Sequence, residues 1–157
     1  MKTCSGFTLY ELLIALAILS IVATVGTVSL LGMKERSQLA GLANLIKADL
    51  NRGRILAARY KGYVVLQIGD GCYELFVDNG AGGGIPGDWL RNGAEVMIGR
   101  RQIAPAIRLD STFPGEHLRW RSGGRIRPGT FTLSHRNGSK IGVVVNAAGR
   151  VRLDTAG

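Results

Sequence analysis

Glu11 is a single carboxylate at the head of an apolar stretch. Leu12 to Leu31 form a run of 20 residues with no charged side chain. A carboxylate within a membrane segment costs about 2.5–3.5 kcal/mol on insertion scales, so such a residue is functional and partnered by default. A second chemistry is carried by arginine. Residues 91–157 hold twelve Lys or Arg against four Asp or Glu, which is nearly all of the chain's formal charge of +9. The arginines cluster as Arg100-Arg101, Arg119-Trp120-Arg121, Arg125-Ile126-Arg127 and Arg150-Val151-Arg152. Alternation within a strand puts two guanidinium groups on one face. Such a stripe can bind DNA phosphates through a salt-dependent, sequence-independent attraction. Trp120, between two arginines, is a residue that could stack on an unpaired base but is expected in the core.

Other reactive residues give no constellation. His117 and His135 are isolated, with no cysteine or carboxylate at ligand spacing, so no metal or cofactor is expected. Ser134 and His135 are neighbours, and on a strand they point to opposite faces. Asp70, Asp78 and Asp88 read as turn formers in preference to metal ligands. No catalytic residue is assigned.

These residues need elements to position them. At about 1.5 Å per residue, the run from Leu12 to Leu31 covers roughly 30 Å, the thickness of a bilayer core, and one helix satisfies its own backbone there. Beyond it, Leu39, Leu42, Ala43, Ile46, Leu50 and Ala57 recur at spacings of three, four and seven. The stretch Lys34 to Tyr60 is therefore expected to extend the helix as an amphipathic rod ended by Gly62. Unbroken from Thr8, it would be about 80 Å long. Gly26, Gly32, Gly41 and Gly53 each weaken it by up to about 1 kcal/mol relative to Ala.

After Gly62 the period changes to that of strands. Tyr63 to Ile68 and Cys72 to Val77 flank Gly69-Asp70-Gly71 as a hairpin. Asp78 to Asp88, with Gly82-Gly83-Gly84, lacks the Gly-Lys-Ser/Thr ending of a phosphate loop and reads as a flexible excursion. Glu95 to Ile98, Ile107 to Leu109 and His117 to Arg121 are further strand candidates. Thr130 to Ser134 and Ile141 to Asn146 form a hairpin about Asn137-Gly138, and Arg150 to Leu153 follows the turn Ala147-Ala148-Gly149. A long helix first and antiparallel strands after it make the fold α+β.

Gly6-Phe7-Thr8-Leu9-Tyr10-Glu11 before the apolar run resembles the class III signal of type IV pilins and type II secretion pseudopilins. Tyr10 stands where the family pattern has Ile or Val. The resemblance implies cleavage after Gly6 by a prepilin peptidase, N-methylation of Phe7, and a role for Glu11 in assembly registry. The new Phe7 amine, with an ordinary pKa of about 7.7–8.0, would be cationic and lie four residues from Glu11. The long helix, Gly129 to Leu133, and Gly149 to Arg152 are similar to the GspH/FimT branch of minor pilins and pseudopilins.

The resemblance further implies a leader at 1–6, a transmembrane and assembly helix at 7–32, an amphipathic extension at 33–61, and a periplasmic or extracellular β-rich domain at 62–157. Cys4 would leave with the leader, so Cys72 could form no intramolecular disulfide. Expected partners are other pilin or pseudopilin subunits, the prepilin peptidase and the bacterial inner membrane. A low-abundance subunit near a fibre tip is implied, in a pilus or a pseudopilus. Gly149-Arg150-Val151-Arg152 is also similar to the Gly-Arg-x-Arg motif of minor pilins that bind DNA, and Gly124-Arg125-Ile126-Arg127 repeats it. Arg119, Arg121, Arg125, Arg127, Arg150 and Arg152 are thus candidate DNA-binding residues.

Overall fold

The computed structural model describes residues 8–121, 123 and 126–155, and for 25–31 the backbone alone. The helix α1 spans Leu9–Tyr60, 52 residues. The chain divides into two compact units, Met1–Ser37 and Gln38–Gly157. In the first unit, apolar side chains including Leu9, Leu13, Ile18, Ile21 and Val22 are more than half exposed. The polar side chains along this run bond to their own helix. Ser20 Oγ donates to the Ala17 carbonyl at 2.8 Å, and Thr24 Oγ1 to the Ser20 carbonyl at 2.7 Å. Among the described residues, no helix is long and apolar enough to cross a membrane. The expected membrane segment 7–32 lies only partly among them, because Phe7 and the side chains of 25–31 are outside.

The second unit carries eight strands: β1 Tyr63–Gly69, β2 Cys72–Asp78, β3 Met97–Gln102, β4 Ile107–Ser111, β5 His117–Arg121, β6 Gly129–His135, β7 Lys140–Val145 and β8 Val151–Asp154. They form two antiparallel sheets, ordered β3-β2-β1-β5 and β4-β6-β7-β8. The chain crosses to the second sheet at β4, returns for β5, and then completes the second sheet.

The helical face read from apolar spacing is the buried one. Leu39, Ala43, Ile46, Leu50 and Ala57 join one core with Leu66, Leu75 and Trp120 of the first sheet and Phe131, Leu133 and Val143 of the second. Gly53 has a purpose there. A Cβ on it would lie 3.3 Å from Leu75 Cδ1 and 3.4 Å from Trp120 Cε3, so glycine allows helix and sheet to approach closely.

Three expectations need correction. The first hairpin turns on Asp70-Gly71 alone, since Gly69 is paired with Cys72 and Gly71 takes φ +65°. The strand expected at Glu95 to Ile98 starts instead at Met97, because the Glu95 carboxylate serves the loop before it. Lastly, the glycine-rich excursion is tied down. Buried Asp78 accepts the Gly87 and Trp89 backbone N–H groups. Buried Glu95 accepts those of Asn79, Gly80 and Asn92, at 2.8–3.1 Å.

Glycine supplies the backbone freedom, but two carboxylates fix the path. Asp78→Ala or Glu95→Ala leaves two or three donors without that acceptor, at a cost of about 1–3 kcal/mol. Denaturant midpoints should fall accordingly, and amide exchange at Gly80, Gly87 and Trp89 should accelerate first. Unchanged protection at these amides would refute the role.

Candidate functional site

Of the three N-terminal site residues, Gly6 and Phe7 lie outside the described residues and Glu11 lies within them. Glu11 is not a lone acid. Its carboxylate accepts the Thr8 backbone N–H at 3.0 Å and the Thr8 hydroxyl at 2.9 Å. The Glu11 N–H in turn donates to Thr8 Oγ1 at 3.3 Å. This is a capping box, which satisfies donors left unpaired at a helix start. The T-x-x-E spacing Thr8 to Glu11 carries this signal in the sequence, beside the membrane-acid reading. The carboxylate also reaches back to the residue next to Phe7, where the resemblance implies a new chain end.

The arginine clusters separate into different environments. Arg119 is sandwiched between the rings of Trp89 and Tyr63, its guanidinium carbon 4.1 and 4.5 Å from their centroids. Trp89 is brought there by its N–H bond to Asp78, at φ +72°. Arg121 lies 5.7 Å from the Tyr63 ring. Arg127, Arg150 and Arg152 are exposed, and among the described residues none of them makes an ion pair. Arg125 lies outside the described residues. Trp120 is buried, 1 % exposed, as its alternation in β5 requires.

Gly149 explains part of the terminal motif. It turns at φ +78°, with the side chain of Asn146 accepting the Ala148 and Arg150 N–H groups. A Cβ there would lie 3.3 Å from Arg54 Cδ and 3.5 Å from Ile126 Cδ1. The motif thereby sets Arg54 of α1 beside the β7–β8 turn. Arg54 falls outside the apolar spacing of α1, so the sequence alone gives no sign of this neighbour.

A second cluster was missed. Asp49 of α1, 9 % exposed, accepts the Tyr73 hydroxyl at 2.8 Å and Arg101 Nε at 3.3 Å, joining helix, β2 and β3. An Asp between Ala48 and Leu50 gives no hint of this in sequence, because its partners are 24 and 52 residues away. Burial, then the hydrogen bond to Asp49, pushes the Tyr73 phenol well above its ordinary value of 10.0. The unfolded chain releases this proton first, so stability is present below about pH 10 and is lost as pH rises through the folded value. Tyr73→Phe should remove that alkaline component from a stability–pH curve; an unaltered curve would contradict it. No cluster among the described residues could hold a metal ion.

A capped helix leading into two antiparallel sheets is the pilin fold. The model of the prokaryotic N-terminal methylation motif matches residues 1–27. Two crystal forms of the type IV minor pilin FimU of Pseudomonas aeruginosa are similar to this chain, each at 16% identity. Their TM-scores are 0.56 and 0.59, with 74% and 78% of this chain and 92% of each FimU chain covered. The minor pseudopilin EpsH from the Type 2 Secretion System of Vibrio cholerae matches at 16% identity and TM-score 0.59, over 76% of this chain and 98% of EpsH. At this identity the structural likeness speaks for the fold. Among curated proteins, none matches this chain in sequence. Motif and fold together support the type IV pilin and pseudopilin superfamily.

Proposed function

We propose that this chain is a minor pilin that helps start assembly of a type IV pilus and sits near its tip. The observation that supports it is a methylation motif running directly into a helix of this fold. In this reading the leader 1–6 faces the cytoplasm and 7–32 holds the chain in the inner membrane. The prepilin peptidase cuts after Gly6, and Phe7 is methylated. Glu11 then pairs with a positive chain end, its own or a neighbour's, and sets the stagger of packed helices. The domain 62–157, carried by the helix extension 33–61, faces the periplasm and then the fibre surface. Deleting the gene tests the assignment. Loss of surface pili with normal exoprotein secretion is expected. Lost secretion with normal pili would assign the chain to a type II secretion pseudopilus.

A second reading, DNA binding in natural transformation, is favoured by the exposed arginines Arg127, Arg150 and Arg152, which have no acidic partner among the described residues. Exposed Arg121 extends this set, Arg125 joins it from the sequence pattern alone, and Arg119 is held between aromatic rings. The full chain in detergent micelles should retard linear DNA, and the effect should weaken steeply with added salt. No retardation at low salt removes this reading and leaves the fibre role intact.

A further inference from the structure

The second unit leaves one face of α1 bare. Gly41, Leu45, Ala48, Arg52, Ile55 and Arg59 follow one another at spacings of four, three, four, three and four. Alternate steps of four and three make the seven-residue repeat with which one helix seats against another. All six residues are exposed, Ile55 at 68 %. They lie opposite the buried line of Leu39, Ala43, Ile46, Leu50 and Ala57. A Cβ added to Gly41 would meet nothing within 4 Å. The stripe is narrow, with Asn44 and Asn51 flanking it. A lipid surface is met by a broader apolar face, whereas a line about one residue wide suits a partner helix.

Two of these positions carry charge. Arg52 and Arg59 make no ion pair among the described residues. In a seam of this kind a charged residue decides which partner fits, because a like charge opposite it is repelled and an opposite charge is paired. Between Gln38 and Tyr60 the helix has four Lys or Arg and a single acid, Asp49, which is buried and bonded to Tyr73 and Arg101. A second copy of this stretch therefore offers no exposed carboxylate to Arg52 or Arg59. We infer that this face docks a helix of a different chain, one that sets aliphatic side chains beside Leu45 and Ile55 and Glu or Asp beside Arg52 and Arg59. Leu45 and Ile55 supply the apolar contact, and Gly41 and Ala48 let the two backbones approach. The two arginines select an acidic partner against a copy of this chain. The identity of that partner as a fibre subunit rests on the assembly reading above; the seam and its charge preference do not.

Fluorescent helical peptides of roughly four heptads serve as probes, titrated with the full chain in detergent micelles. One carries Leu and Glu along its seam, a second Leu and Lys, and a third copies residues 38–60 of this chain. The Glu peptide should bind saturably, with an affinity on the order of ten micromolar that weakens with salt. The Lys peptide and the copy should bind at least about tenfold more weakly. Arg52→Glu with Arg59→Glu should reverse the preference between the Glu and Lys peptides. Leu45→Ser with Ile55→Ser should weaken the Glu peptide by about tenfold. Arg136→Glu with Lys140→Glu, exposed cations away from α1, should leave it unchanged. All these substitutions are at exposed positions, and unaltered denaturant midpoints will show that the fold is retained. No binding of the Glu peptide, or equal binding by the Arg52→Glu, Arg59→Glu variant, overturns the seam. A copy or Lys peptide bound as tightly as the Glu peptide overturns the acidic partner. Displacement of the Glu peptide by phosphatidylglycerol doped into the micelles would assign the face to lipid and overturn the helix. None of these outcomes bears on leader cleavage, so the fibre reading stands or falls separately.

Discussion

Glu11→Ala is expected to exclude the chain from assembled fibres while leaving its level in the membrane unchanged. Two roles for Glu11 have to be separated. As a cap, its carboxylate holds the Thr8 N–H and hydroxyl, an interaction worth about 0.5–2 kcal/mol. As the acid in an apolar bundle, it needs a cationic partner, and removing one member of a buried pair costs about 3–5 kcal/mol. The larger figure corresponds to a more than hundredfold loss of incorporation. Glu11→Gln separates the roles, because glutamine can still close a capping box but carries no charge. Both Glu11 variants should therefore be missing from sheared fibres, whereas Thr8→Ala, which weakens only the cap, should be incorporated. Wild-type amounts of Glu11→Ala in the fibre would support a monomeric membrane-anchored module instead.

Trp120→Ala should be the most damaging single change in the second unit. Trp120 is the largest fully buried side chain and packs where Gly53 brings α1 against the first sheet. Removing it opens a cavity that rigid neighbours cannot fill, at about 3–5 kcal/mol. Against a total stability of about 5–15 kcal/mol, that is a large fraction. Denaturant unfolding of the variant should show a lower midpoint with a similar slope. A cost below about 1 kcal/mol would mean that the helix does not depend on this contact.

The elements that sequence reading recovered are those with local causes. The apolar face from Leu39 to Ala57 follows from spacing alone, and the same spacing decides which side of α1 is buried. The β6–β7 hairpin follows from Asn137-Gly138, and burial alternates along β6 and β7 as the pleat requires. What stayed hidden depends on contacts far apart in the chain. Asp78 and Glu95 resemble ordinary loop acids until the fold turns them inward to receive backbone donors. Asp49 needs Tyr73 and Arg101 before it has a role. The arginine clusters were visible as charge, but their division was not. Arg119 belongs to an aromatic sandwich, and Arg54, from the helix, lies beside Gly149. At the N-terminus the acid was legible, its capping role with Thr8 emerged only with the hydrogen bonds, and registry between copies is a property of the assembly.

Mass spectrometry of the protein taken from its native envelope tests the central claim most directly. A mature chain beginning at Phe7, heavier by one methyl group on its terminal amine, is the predicted result. A chain that retains Met1 to Gly6 and carries no methyl group would contradict it.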